Sequence, residues 1–170
     1  MARGDDEFVE FARSASGRLM RAAFLMTGNH HQSEDAVQTV LVRVYASWSR
    51  IRNSDSYGYA RTVLFNHLAD RWRRPIREYA SAEVPERQQR GDLAAQVSDR
   101  RWLLTLLGRL TTRERAIVVL RYYFDLSEAQ VADELRLSPG TVKSTSSRAL
   151  EKLRAGVAAA RIPAIDEESR

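Results

Sequence analysis

Cysteine is absent from the 170-residue chain. Its absence excludes a disulfide scaffold, a thiol nucleophile and any thiolate-ligated metal, and fits a reducing compartment. Long apolar runs are missing too. The stretch 116–120 is among the longest, far short of the roughly 18 residues that mark a membrane span. The start, Met1-Ala2-Arg3-Gly4-Asp5-Asp6-Glu7, lacks the basic-then-apolar order of a signal peptide. There is no alternating β-branched run, no Gly-rich phosphate loop and no nucleophile–base–orienter pattern. His30 and His31 adjoin Glu34 and Asp35, but adjacent side chains do not converge on one metal, so a surface turn is expected there. These absences describe a soluble, cytoplasmic protein that needs no cofactor or metal and performs no covalent step.

What is present is charge and helical periodicity. Charged residues make up 29% and apolar residues 44%, a globular composition, with a net charge of +5. The charge divides unevenly: +3 over residues 1–75, −1 over 76–98 and +3 over 99–170. The middle stretch holds Pro85, Glu86, Gln88, Gln89 and Gly91 with few large apolar residues. It reads as a linker, too long for a tight loop. The expected organisation is two small helical domains, 5–75 and 99–158, joined by a flexible linker over 76–98 and followed by a short tail over 159–170.

Val37, Val40, Leu41, Val44, Tyr45 and Trp48 fall on one helical face, with Ser33 as the expected N-cap. An earlier helix carries Phe8, Phe11, Leu19, Ala23 and Met26 and ends near Gly28. Another runs from about Ser56 and stops at Pro75. In the second half, Trp102, Leu103, Leu106, Leu107 and Leu110 make one stripe, and Ala116, Ile117, Leu120 and Phe124 another. Ser127-Glu128-Ala129-Gln130 fits a capping box. Arg136-Leu137-Ser138 is a short turn, and Ser138-Pro139 supplies a cap and a first-position proline. Arg136 stands where a left-handed residue is favoured, at a cost of about 1 kcal/mol for a non-glycine. The first helix of this pair is acidic (Glu128, Asp133, Glu134). The second is basic (Lys143, Arg148, Lys152, Arg154 against Glu151) and leaves Lys143, Ser144, Ser147 and Arg148 facing out. That is the pattern of a DNA-binding helix-turn-helix. Arg61, Arg71, Arg73, Arg74 and Arg77 against Asp70 form a second basic cluster, interleaved with Tyr59, Asn66 and Trp72. Arginine for phosphate and aromatics for unstacked bases is the composition of a single-strand contact.

Leu126-Ser127-Glu128, 137–144 and Arg148-Ala149-Leu150, preceded by 110–116 and 120–123, resemble region 4 of bacterial sigma factors. Ser33-Glu34-Asp35-Ala36-Val37-Gln38, 59–66 and 70–74 are similar to region 2. Two ordered motif sets across a linker identify the chain as a member of the sigma-70 family, of its extracytoplasmic function group and of an actinobacterial sigma-E-like branch. The resemblance implies an all-α protein that binds core RNA polymerase, reads −35 and −10 promoter elements and assists melting. It implies docking on the clamp helices of the largest subunit through Asp35, Gln38, Leu41 and Arg43, and contact with the flap of the second-largest subunit. It places −10 contacts on Arg52, Asn53, Ser54, Asp55, Tyr57, Tyr59, Arg61, Asn66, Asp70, Arg73 and Arg74. It places −35 contacts on Arg121, Thr141, Lys143, Ser144, Ser147 and Arg148. A monomer is expected when free, and an anti-sigma factor is a partner common in the group. The other reading of the residues is a stand-alone dimeric helix-turn-helix regulator of palindromic sites. A helical hydrolase would need a catalytic cluster that the sequence does not offer.

Overall fold

A computed structural model describes residues 3–51, 55–73 and 93–161. Every regular element among the described residues is a helix, and no strand occurs among them. The first half comprises α1 (Arg3–Thr27), α2 (His30–Ala46), the short α3 (Trp48–Ile51) and α4 (Ser56–Arg73). The second comprises α5 (Leu93–Gly108), α6 (Thr112–Val118), a π-helical turn (Val119–Tyr123), α7 (Glu128–Leu135) and α8 (Pro139–Arg161).

In the first half α2 packs between α1 and α4. Ala15, Ala22 and Ala23 bring α1 close, while Leu19 and Met26 fill the gaps against Val37, Val40 and Val44 of α2 and Leu64, Phe65 and Leu68 of α4. Each large apolar side chain so buried contributes about 1.5–3 kcal/mol relative to exposure. Trp48 seals one end against Phe8 and Phe11, with ring centroids 5.3 and 5.1 Å away. Two expectations are corrected here. The cap of α2 is Asn29, whose side chain accepts from Gln32 N–H at 3.0 Å. Ser33 lies one turn inside, fully buried, and donates to Asn29 O at 2.7 Å. Tyr45 is half-exposed instead of core, its hydroxyl donating to Asp5 at 2.9 Å.

In the second half α5 begins at Leu93, so residues 93–98, read from composition as linker, are helical. Leu93-Ala94-Ala95-Gln96 are good helix formers, and helix continuity outweighs the missing stripe. Leu106, Leu107 and Leu110 are buried, but Trp102 and Leu103 are exposed. Thr111 and Glu114 form a capping box at α6. Glu114 is 7% exposed and takes Lys152 Nζ from α8 at 2.9 Å on both oxygens. Burial pushes the Glu114 carboxyl up, but the hydrogen bonds from Lys152 and Thr111 outweigh it and hold the group below its ordinary value. Buried residues of both halves join in one cluster, where Ile117, Leu120 and Phe124 meet Leu64, Phe65 and Leu68. Arg115 straddles the halves. Its guanidinium donates to Leu107 O at 2.7 and 3.0 Å and to Met26 O at 2.9 Å, which caps the ends of α5 and α1 together.

Candidate nucleic-acid interface

The helix-turn-helix forms as its caps dictate. Ser127 and Gln130 close the expected box around the start of α7. Arg136 takes the left-handed conformation (φ 55°, ψ 48°) despite its side chain, and Leu137 N–H returns to Ala132 O at 2.9 Å. Ser138 accepts from Thr141 N–H at 3.1 Å and caps α8. Val142, Thr145, Ser146 and Ala149 turn inward. Lys143, Ser144, Ser147 and Arg148 are left on one exposed face. Arg148 is exposed and makes a long contact with Thr145 Oγ1, 3.5 Å, a geometry that leaves its fork open toward guanine acceptors. Thr141 is half-buried beside Ser138. Arg121 is half-buried and committed elsewhere: it donates to Leu126 O and lies 5.8 Å from the Tyr122 ring centroid.

On the first half, α2 and α4 enclose an open groove of about 410 Å³ lined by Arg43, Ala46, Ser47, Tyr59, Val63 and Asn66. The Tyr59 hydroxyl reaches Ser47 Oγ at 3.3 Å. The groove pairs an aromatic ring with an amide, a hydroxyl and a guanidinium, groups that can stack on a base, bond its edge and neutralise a phosphate. It unites Arg43, expected to dock a protein, with Tyr59 and Asn66, expected to hold DNA. Sequence reading missed Ala46, Ser47 and Val63. Their signal is spacing: Arg43 and Ala46 on the last turn of α2 and Ser47 at its C-cap follow at i, i+3, i+4, and Tyr59, Val63 and Asn66 share one face of α4 at i, i+4, i+7.

The other expected −10 contacts are placed as follows. Asp55 precedes α4 and accepts from Gly58 N–H at 2.7 Å, the geometry of an N-cap. Tyr57 is half-buried, its ring 6.3 Å from that of Phe124. Arg61 is held by Glu134. Asp70 and Arg73 belong to the last turn of α4. Arg52, Asn53, Ser54 and Arg74 lie outside the described residues. On α2, Asp35, Gln38 and Arg43 are exposed and Leu41 is half-buried against the core. The same helix exposes Val42 and Tyr45, which with Gln38 keep an i, i+4, i+7 spacing. His30, in the first turn of α2, stacks on Phe24 with ring centroids 4.5 Å apart.

Comparison with known proteins agrees with this layout. The family model of sigma-70 region 2 matches residues 11–77, and that of sigma-70 region 4 matches residues 100–153. The chain is 35% identical over 150 residues to the RNA polymerase sigma-E factor of Streptomyces coelicolor, covering 87% of this chain and 84% of that protein. It is 32% identical over 145 residues to the ECF RNA polymerase sigma factor SigL of Mycobacterium tuberculosis, covering 80% of each. Among solved structures, the sigma factor RpoE of Bartonella quintana, in complex with the anti-sigma factor NepR, has a similar fold. It covers 91% of this chain and 98% of its own at a TM-score of 0.72 and 22% identity. The two matched regions, in this order and on these helices, make the chain a member of the sigma-70 family of RNA polymerase sigma factors, in the extracytoplasmic function group.

Proposed function

We propose that the chain binds core RNA polymerase, directs it to promoters through −35 and −10 elements and holds the opened −10 strand during melting. The single observation that supports this reading is the pairing of two unlike exposed polar surfaces in one family member. One is the exposed Lys143–Ser144–Ser147–Arg148 face of a helix-turn-helix, shaped for duplex. The other is the open groove at Ser47, Tyr59 and Asn66, whose ring, hydroxyl and amide are groups that an unstacked base can use. Residues 5–75 and 99–158 are the proposed functional units. The α2 surface of Asp35, Gln38, Leu41, Val42, Arg43 and Tyr45 docks the clamp of the polymerase. An anti-sigma factor would compete for the surfaces that polymerase uses.

Each DNA module is small, and the polymerase fixes their spacing, so specific binding requires core enzyme. The test is reconstitution: the chain mixed with sigma-free core polymerase, followed by transcription from a promoter library. A stoichiometric complex with defined start sites is expected. A dimer that shifts palindromic duplex alone and does not bind core would overturn the reading in favour of a stand-alone regulator.

A further inference from the structure

Two side chains assigned to the −10 strand, Tyr57 and Arg61, face the second half of the chain. Arg61 forks onto Glu134 of α7. Its Nε donates to Oε1 at 2.9 Å and to Oε2 at 3.0 Å, and its Nη2 donates to Oε2 at 2.9 Å. The pair is withdrawn from water, with side-chain exposures of 15% and 5%. Phe124 lies beside it, its ring centroid 5.6 Å from the Arg61 guanidinium carbon and 6.3 Å from the Tyr57 ring. Arg18 approaches the same rings, 5.3 Å from Tyr57 and 5.1 Å from Phe124.

A carboxylate forked by arginine offers two anionic oxygens to a planar donor, as a phosphodiester does. An aromatic ring set between a tyrosine and two guanidinium groups occupies the place that an unstacked base takes on such a platform. Together, Glu134 and Phe124 present the chemistry of one nucleotide. A carboxylate so buried is costly unless paired, and each hydrogen bond described for it comes from Arg61, 73 residues away in sequence. The helix-turn-helix itself is closed by Val131, Ala132, Val142 and Ala149, and makes no use of a charge at position 134.

We propose that α7 and the Phe124 turn serve as an internal substitute for the −10 strand, with Glu134 in the place of phosphate on Arg61 and Phe124 in the place of a base beside Tyr57. The proposal rests on the reading of Tyr57 and Arg61 as strand contacts. The closed chain and the strand-bound chain are then mutually exclusive. In the closed chain the α8 face stays exposed, so duplex reading is open while strand holding is shut. Apparent affinity for the strand falls by the fraction of molecules that are open.

The test uses the full chain, whose lack of cysteine allows two labels to be placed without background. Spin labels at Gln32→Cys and Ala129→Cys, both exposed positions, report the distance between the halves. Fluorescence anisotropy with an A·T-rich single strand reports strand binding. Glu134→Gln is expected to lengthen and broaden the distance distribution and to tighten strand binding about tenfold. Asp133→Asn removes the same charge from an exposed neighbour and is expected to leave the distance unchanged and affinity within about twofold. If Glu134→Gln loses its helical circular dichroism, Phe124→Leu replaces it with the same expectations. Unchanged distances, unchanged strand affinity, or an equal gain from Asp133→Asn would each overturn the proposal. The distance measurement needs neither polymerase nor promoter. Failure of the chain to bind core, with the halves still parting in Glu134→Gln, would therefore sink the sigma reading of function and leave the internal contact standing.

Discussion

Lys152→Met isolates the contact that fastens the recognition helix to α6. Lys152 Nζ sits 2.9 Å from both oxygens of Glu114, and the variant leaves that carboxylate buried with only its capping partners at Thr111. Removing one member of a fully buried pair costs about 3–5 kcal/mol. The Lys152 side chain is 45% exposed, so solvent screens the pair and the cost moves toward the value of about 1 kcal/mol for surface pairs. A loss of about 2 kcal/mol at neutral pH is expected, or a fall in melting temperature of about 4–8 °C for a chain of this length. The pH dependence gives the sharper test. The folded carboxyl lies below its ordinary value of 4.5. Its contribution is therefore complete above that value and is lost as pH falls through the lower folded one. The gap between wild type and Lys152→Met should close as pH falls below the ordinary value and through the lower folded one. Urea unfolding followed by circular dichroism at neutral and acid pH measures this, with Glu114→Gln and the double variant completing a cycle. A penalty of the same size at both pH values, or zero coupling in the cycle, would refute the reasoning and assign the effect to lost packing of the lysine stem.

Three further outcomes are expected. Arg148→Ala should weaken specific −35 duplex binding by the reconstituted polymerase by about 1–3 kcal/mol, while its unfolding midpoint stays within about 0.5 kcal/mol of wild type. Tyr59→Ala should reduce permanganate reactivity of the opened −10 strand, reflecting the loss of about 1–3 kcal/mol of stacking, with core binding unchanged on co-elution. At Gly58 an added Cβ would lie 2.1 Å from Asp55 Oδ2 and 2.7 Å from its Cγ. Gly58→Ala should therefore displace the cap of α4 and lower stability by about 1 kcal/mol, visible as a shifted thermal transition.

Local rules made much of this molecule legible. The Ser127–Gln130 box, the Ser138 cap and the polar face of α8 each follow from residues within one or two turns, and sequence spacing carries that information directly. Asn29 and Ser33 show where such rules become degenerate: both can cap, and the choice falls to burial, since Ser33 is needed inside against Thr27 and Asn29. Arg136 departed from the favoured glycine, and the turn formed regardless, because the hydrogen bonds around it offset about 1 kcal/mol of strain. The groove was half legible. Tyr59 and Asn66 announced themselves by residue type, but Ser47 and Val63 are unremarkable until α2 and α4 are laid side by side. The Arg61–Glu134 fork was not legible at all. Each residue fits a solvated helix face by local pattern, and only packing of the two halves brings them together.

Arg115 gives the two halves unequal shares in their separation. Its desolvated guanidinium, held below its ordinary pKa by burial, bonds twice to Leu107 O and once to Met26 O. Parting the halves breaks the single bond and leaves the double one, so the cation travels with α5 and α6, and water must replace it at the end of α1. The second half thus leaves with the end of α5 still capped. The first half must rehydrate the end of α1, and its Met26 carbonyl, once isotope-labelled, becomes an infrared reporter of how many molecules have opened.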